Sequence, residues 1–588
     1  MRKYFPGYLL AQFFCAAILL PAASAQIFRE QKLFSPPLDS EIILAGTFGE
    51  IRTNHFHSGI DISTGGAEGK KVLAAADGYI SRIKVSAEGF GKALYLTHAN
   101  GYVTVYGHLH RFNDTLEKYV RQEQYKRESF EVELFPKENE FVFKKGRLIA
   151  YSGNTGGSSA PHLHFEIRDA KTEEPLEPLS SGLRLNDTIA PHINLIAIYP
   201  LHNNGSVNNK CQPLYVPLTF EQKIFSADKK ENIFLNGEIG FGIETSDMQI
   251  QNGSVLGIKR IELFIDEIKI YDYAVDRFNF DESRFVNANI DYAESAASQK
   301  IITLCYKMPA NKFSPLIKNN FTGVMNFNDD NPHAVLFRVY DSGNNISQAS
   351  IIFQSSSKKI ICSNKTQNDT SYLITCCKPF SYERSGIKFS SDKLPAVYDD
   401  EYIDISKTNL GGNFFSNVFH IGDGSVPIHN PVNLSIKPNS LRASLKSKAL
   451  IVKVDESGNI SSAGGSFSDG FVSAKIRSFG NYAVAADTTA PLIGEIVTRI
   501  NQGGYTGKGI INSKQKILIR IKISDELSGI ASYRAAVNGK WLLMEFDAKS
   551  GMLTGELSFA KNKSKQKFVL TVTDKKGNKS QQTKMLNY

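Results

Sequence analysis

The sequence has no long run of lysine and arginine. The electrostatic footprint of a nucleic-acid binder is therefore missing, and no nucleic-acid partner is expected. Beyond the first 25 residues, no stretch is apolar over the ~20 residues that a membrane helix needs. Cysteine is scarce, with 6 in 588 residues. None stands at zinc-finger spacing, so a cysteine-built zinc module is excluded. Cys15 lies in the N-terminal apolar run, and Cys211, Cys305, Cys362, Cys376 and Cys377 are scattered over the later chain. These five read as structural, and their pairing cannot be read from spacing. No cysteine follows a Leu-Ala-Gly type sequence near the start, so no lipid anchor is expected. A chain that is 41% hydrophobic and 22% charged is neither disordered nor membrane-embedded. The net charge of +9 is modest for this length. It suits work near an anionic envelope polymer without specifying it.

At the start stand Arg2 and Lys3, a short apolar run from Tyr8 to Leu20, and Ala23-Ser24-Ala25 before Gln26. This is the pattern of a secretory signal peptide over residues 1–25. Export to a periplasm or cell envelope is expected, with no membrane span once the signal is removed.

A chain of 588 residues suggests three to five domains. Residues 26–185 form one unit rich in glycine and histidine. Runs such as Val72–Ala76, Tyr79–Val85, Ala93–His98, Tyr102–His108, Phe141–Ser152 and Leu163–Arg168 read as strands between turn residues. Residues 113–139 interrupt them. Asp114 with Glu117 suggests a helix N-cap box, and Leu116, Tyr119 and Val120 share a helical face, so a charged helical insertion beside or over the sheet is predicted. After residue 185 the chain repeats itself. Asp187-Thr188-Ile189-Ala190-Pro191 returns as Asp487-Thr488-Thr489-Ala490-Pro491, and Ser246-Asp247 followed by Gly257-Ile258 returns as Ser524-Asp525 followed by Gly529-Ile530. Three turns also match, at Asp341–Asn344, Asp455–Asn459 and Asp574–Asn578, with residues that favour tight hairpins. Two immunoglobulin-like β-sandwiches are expected at 187–355 and 487–588, with a further β-rich domain at 356–485.

Three short motifs carry chemistry: His57-Ser58-Gly59-Ile60-Asp61, Tyr106-Gly107-His108-Leu109, and His162-Leu163-His164 after Gly153-Asn154-Thr155-Gly156 and Pro161. Catalytic zinc takes three protein ligands, usually imidazole or carboxylate, and keeps one position for water. His57 and Asp61 supply a nitrogen and an oxygen, and Gly59 between them permits a tight backbone path. His162 and His164 are two apart, so on a strand they share a face. The residues alone thus point to a metal held by His57, Asp61 and one of His162 and His164, with His108 and the other histidine free beside it. A free imidazole can take a proton from water and pass it to a leaving amine, and another can stabilise an oxyanion. A lone His-X-His is weak evidence, and His108-Leu109-His110 repeats the spacing. The specificity lies in the joint order of the motifs.

That order resembles peptidase family M23, the LytM or lysostaphin-type peptidases. The resemblance rests on His-X-Gly-X-Asp at His57–Asp61, a Tyr-X-His-Leu strand at Tyr106–Leu109, and a Gly-X-Thr-Gly loop leading to Pro161-His162-Leu163-His164-Phe165-Glu166. The run Val72–Ile80 resembles the family's strand after the first ligands. The likeness covers about residues 40–170, roughly a quarter of the chain. It implies a Zn2+ ion on His57, Asp61 and His164, with His108 and His162 as catalytic histidines. His110, His55 and His98 then fall outside the motif. The implied fold is mainly β: a LytM-type antiparallel sheet with a helical insertion, followed by β-sandwich domains.

The function that the resemblance implies is a metalloendopeptidase that opens peptide cross-links of peptidoglycan, with stem-peptide bridges favoured. Two alternatives stand beside it. One is a non-catalytic LytM-type scaffold that activates wall amidases. The other is an envelope interaction protein that binds a partner protein through its Ig-like domains.

Overall fold

The computed structural model describes residues 33–586, apart from 203, 228–231, 252, 318–319, 359, 361–369, 410–413, 502–515 and 559–564. The expected signal peptide at 1–25, with Cys15, lies outside the described residues, as does Cys362.

The N-terminal domain is built on one antiparallel sheet. Its strands are β1 (Leu44–Gly46), β2 (Ile51–Arg52), β3 (His55–Phe56), β4 (Ile60–Ser63), β5 (Lys71–Leu73), β6 (Gly78–Val85), β7 (Lys92–Thr97), β8 (Tyr102–Gly107), β9 (Arg111–Phe112), β10 (Val132–Leu134), β11 (Val142–Phe143), β12 (Leu148–Tyr151) and β13 (His162–Asp169). The main sheet runs β1-β4-β13-β8-β7-β6-β10, while β5-β12-β9 form a small second sheet and β2 pairs with β3. The central position of β13 matters most. It places His164 opposite Asp61 on one side and opposite Gly107 on the other.

Several strands differ in extent from the sequence reading. The strand expected to reach His108 stops at Gly107, because His108 takes a left-handed φ of 57° and turns out of the ladder. The run expected over Phe141–Ser152 divides into β11 and β12 around a turn at Gly146, whose φ is 77°. The predicted helix is present as α1 (Asp114–Arg127). Its N-cap is Asn113, one residue before the expected Asp114. The Asn113 side chain accepts from Leu116 N, and Glu117 reaches back to accept from Phe112 N. Leu116, Val120 and Gln124 are buried, and α1 packs on β9 and β10. The insertion therefore adds β10 at the sheet edge opposite β1 and β4.

The later chain is also β-rich. Residues 192–355 form a 12-stranded arrangement in which the long strand Phe234–Ser246 pairs with five others, in parallel with Ile346–Ser355. Residues 371–486 hold a six-stranded and a five-stranded sheet. Residues 492–586 hold a five-stranded and a four-stranded sheet around a core of Ile517, Ile519, Phe568, Leu570 and Val572. The repeated turns are real, with one shift of register. Asn345, and not Asn344, matches Asn459 and Asn578: each donates its backbone N–H to the aspartate four residues earlier. Asn344 takes the left-handed position that Gly458 and Gly577 fill in the other two. Cys211 is disulfide-bonded, whereas Cys305, Cys376 and Cys377 are free thiols.

The first two domains share one hydrophobic core. Phe48 and Phe56 meet Phe278 with ring centroids 5.6 and 5.9 Å apart, and Phe56 stacks on Phe313. The last domain folds back onto the first. Lys92 pairs with Glu545 at 2.9 Å, Trp541 meets Tyr125 of α1 edge to face at 5.2 Å, and Arg534 pairs with Glu128.

Candidate metal centre

Three side chains converge on one point. His57 Nε2 lies 3.0 Å from His164 Nδ1 and 3.1 Å from Asp61 Oδ1, and His164 Nδ1 lies 2.9 Å from the same oxygen. All three residues are buried. Ligands spaced tetrahedrally about 2.0–2.1 Å from a zinc ion would be roughly 3.3 Å apart, close to this spacing. Two imidazole nitrogens facing one another beside a carboxylate oxygen form a donor set suited to a divalent metal of the zinc type. A further sign is His162 Nε2, which is buried, has no hydrogen-bond partner, and lies 3.3 Å from Asp61 Oδ1.

Each donor is oriented by its other atom. His57 Nδ1 lies 2.7 Å from Thr47 O, which fixes the proton there and leaves Nε2 free. His164 Nε2 lies 2.9 Å from Glu166 Oε1. Asp61 Oδ2 accepts from the Arg52 guanidinium at 2.6 Å, and Arg52 in turn leans on Glu50 at 3.1 Å. Such outer partners set the tautomer and raise ligand basicity. The glycine between the first two ligands is required by packing and not by φ. A Cβ on Gly59 would stand 2.3 Å from Phe165 O of β13, so a larger residue would push β13 off the strand that carries Asp61.

The face of β13 explains more of the site than the His-X-His pair. His162, His164, Glu166 and Arg168 alternate along the strand and point the same way. Glu166 is fully buried, accepts from Ser58 and from Arg168 Nε at 2.5 Å, and holds His164. Sequence reasoning quoted Glu166 within the motif and gave it no role. The period of two continuing through Arg168 was the available signal. Arg52 gave no signal, because its approach to Asp61 depends on the β2–β3 hairpin.

Two more imidazoles border the group. His108 Nδ1 lies 2.8 Å from Thr155 O, so the ring presents Nε2 to the site, and its centroid is 4.8 Å from that of His162. His162 Nδ1 lies 2.8 Å from Ala160 O. Phe90 stacks on His164 at 4.7 Å and forms an apolar wall. The loop that carries these carbonyls is drawn close to the 89–91 turn: Gly156, with a φ of 72°, has no room for a Cβ, since Gly89 O and Gly91 N would be 2.3 Å away. Lys549 of the last domain donates to Ser158 O at 2.9 Å and also contacts Asn154 O on that loop.

The electrostatics follow from burial and pairing. Burial works against an ionised Asp61, yet the imidazoles of His57, His162 and His164 around it hold its carboxyl well below the usual range. Burial lowers His57. Burial, with His164 and His162 nearby, lowers His108 to about 3, so its ring is neutral near pH 7. Burial opposes protonation of His164 too, but Asp61 and Glu166 outweigh it and raise the ring to about 9. A metal at the Nδ1 side must displace that proton, so binding releases it to solvent.

The remaining histidines of this domain lie elsewhere. His110 pairs with Glu68 at 2.7 Å on the surface, and His55 is exposed beside Thr53 O. His98 is buried between Asp77 O and Thr104 Oγ1, each 2.8 Å away.

Parts of the chain are similar to known proteins. Residues 55–125 match peptidase family M23, a segment that includes His57, Asp61 and His108 and ends before β13. Residues 371–487 match the Zu5-like domain. A DD-carboxypeptidase/endopeptidase Mpg of Neisseria meningitidis is 32% identical over 133 residues, 23% of this chain and 24% of that protein. An uncharacterized metalloprotease of Haemophilus influenzae is 36% identical over 111 residues, 19% of this chain and 18% of that protein. The murein hydrolase activator NlpD of Escherichia coli is 33% identical over 144 residues, 24% of this chain and 30% of that protein. The chain thus spans less than a third of the length of each of these relatives.

Proposed function

We propose that this chain, which carries a domain of peptidase family M23, is an exported zinc-dependent endopeptidase that cuts peptide cross-links of peptidoglycan. The observation that carries the reading is the convergence of His57 Nε2, Asp61 Oδ1 and His164 Nδ1, with His108 and His162 beside them. His57, Asp61 and His164 would hold the zinc, which supplies a Lewis acid for the scissile carbonyl and a water of lowered pKa. Thr47 O and Glu166 keep the two imidazoles in the tautomers that offer a lone pair to the metal. His108 is neutral, with its proton on Nδ1, so Nε2 is free to accept the water's proton and deliver it to the leaving amine. His162, fixed by Ala160 O, stands where a protonated Nε2 would stabilise a developing oxyanion. The Phe90 wall and the burial of the ligands exclude competing water.

Peptidoglycan as substrate is supported by the wall-directed names of the relatives and by the secretion signal read at residues 1–25. The later domains serve as spacers or as surfaces for an envelope partner.

A second reading is favoured by one observation, the relative named as a murein hydrolase activator. In it the domain binds and activates an amidase without chemistry of its own. The presence of all five His and Asp positions counts against it. Digestion of purified peptidoglycan by the zinc-loaded chain, with and without a chelator, separates the two. Chelator-sensitive loss of cross-linked fragments supports the peptidase. Intact cross-links with zinc bound, together with stimulation of an added amidase, would select the activator.

A further inference from the structure

Outside the histidine site the described residues hold two groups of three carboxylates. Asp187, Asp247 and Asp341 each bring an oxygen within 4.8 Å of the others, and so do Asp487, Asp525 and Asp574. The two groups come from matching places in the repeat: the Asp-Thr-X-Ala-Pro segment, the Ser-Asp pair, and the aspartate that opens the turn.

Their environments differ in one respect. In the later group each aspartate is served by amide donors. Asp487 accepts from Thr489 N and Ser528 N, Asp525 from Leu527 N and Gly529 N, and Asp574 from Lys576 N and from both nitrogens of Asn578. In the earlier group Asp341 accepts from Asn345 N at 2.8 Å and Asn345 Nδ2 at 2.8 Å, and Asp187 Oδ1 accepts from Ile189 N at 3.0 Å. Asp247 has no such donor. It is 2% exposed, and neither of its carboxylate oxygens has a hydrogen-bond partner. Asp187 Oδ2 is also buried and unpartnered. Leaving a buried carboxylate unsatisfied is among the more costly things a fold can do. Burial, and the nearby Asp341 and Asp187, push Asp247 up to about 7, while the Met248 N–H, which makes no hydrogen bond to it, acts the other way. A proton would reduce the repulsion and still leave the carboxyl without a hydrogen-bond partner. A cation would satisfy the facing oxygens together.

We propose that Asp187, Asp247 and Asp341 form a calcium site at the junction of the first and second domains. The donors are oxygens alone, which suits a hard cation, and calcium tolerates the irregular geometry that a site assembled from three separate segments provides. The site also ties together the parts that carry the histidine centre. Two residues after Asp247, Gln249 accepts from Leu44 N at 2.7 Å and donates to Ile42 O and Asn186 O. Further along the same loop, Gly257 O accepts from Thr47 Oγ1, and Gly257 N donates to Glu50. Thr47 orients His57, and Glu50 supports Arg52. The ion thus pins the loop on which the outer partners of the centre rest.

The test is calorimetric titration of the zinc-loaded full chain with Ca2+ alone, for wild type, D247N and D525N, with thermal unfolding at the same Ca2+ levels. Wild type is expected to bind Ca2+ with a Kd at or below roughly 10⁻⁴–10⁻³ M and to gain thermal stability from it. D247N should weaken that binding at least about tenfold and lose the thermal gain, while D525N keeps both. D247N removes a repulsive charge, so it is expected to fold. The wild-type titration decides independently of any variant: no Ca2+ binding at about 10 mM overturns the proposal. Equal binding by wild type and D247N, or loss only in D525N, overturns it as well.

Discussion

Phe56 stacks on Phe313 of the second domain, with ring centroids 4.4 Å apart and planes 18° apart, one residue before the metal-facing His57. The first proposed ligand is therefore anchored by a domain that begins more than a hundred residues later. Phe313→Ala is expected to cost roughly 3–5 kcal/mol of stability, as large aromatic truncations in cores do. It should also weaken zinc binding, because β3 loses its backing. Denaturant unfolding and metal titration of the variant check both. By the same reasoning a chain cut near Leu185 exposes Phe48 and Phe56, and should lose cooperative unfolding.

The two roles within the histidine group separate by substitution. His164→Ala is expected to lose stoichiometric zinc and activity together. His108→Ala should retain zinc and lose turnover by about 10²–10⁴-fold, the usual contribution of a positioned acid–base group. Metal content and cross-link hydrolysis measured on the same preparations decide. A His164 variant that still held one zinc and cut normally would sink the ligand assignment.

Glu166 is expected to act through His164. Glu166→Gln keeps the shape and removes the charge, and should reduce zinc affinity by about 10–100-fold. Saturating zinc should restore much of the activity, which a purely structural lesion would not allow. Competition against a chromogenic chelator gives the affinity.

Glu177 gives a pH signature away from the centre. It is buried, accepts from Leu179 N at 3.0 Å, and is pushed up by burial from an ordinary 4.5 to about 7. Between those values the folded carboxyl keeps a proton that the unfolded chain has lost, so stability falls as pH rises through the window. Glu177→Gln carries no such penalty. Its gain in unfolding free energy over wild type, read by denaturant unfolding, should be near zero at about pH 4.5 and largest above about pH 7, where it amounts to a few kcal/mol at ~1.4 kcal/mol per pH unit. A gain independent of pH would refute the assignment.

The converging side chains were legible in the sequence because their geometry is local, although spacing alone left His162 and His164 open as the third. His57 and Asp61 sit four apart around a glycine, and His162 and His164 alternate on one strand. The helix of the insertion was legible from its apolar face, although its cap falls on Asn113 and not on Asp114. The repeats after residue 185 were legible as repeated residues, but the choice between Asn344 and Asn345 depended on a left-handed residue that spacing does not reveal. What stayed hidden is long-range. Phe313 beside Phe56, Gln249 on the Leu44 strand and Lys549 on the 153–161 loop are contacts whose energy is spread over distant segments, and no local period encodes them.

The contact of Trp541 with Tyr125 and of Lys92 with Glu545 joins the end of the chain to its beginning. Because both partners belong to one molecule, their encounter is governed by tethering and not by dosage. Linked modules meet at effective concentrations that reach the order of millimolar. Dilution therefore leaves this closure intact. Raised ionic strength, which weakens an ion pair whose Glu545 side reaches solvent, or a ligand that competes for the Trp541 ring would open it.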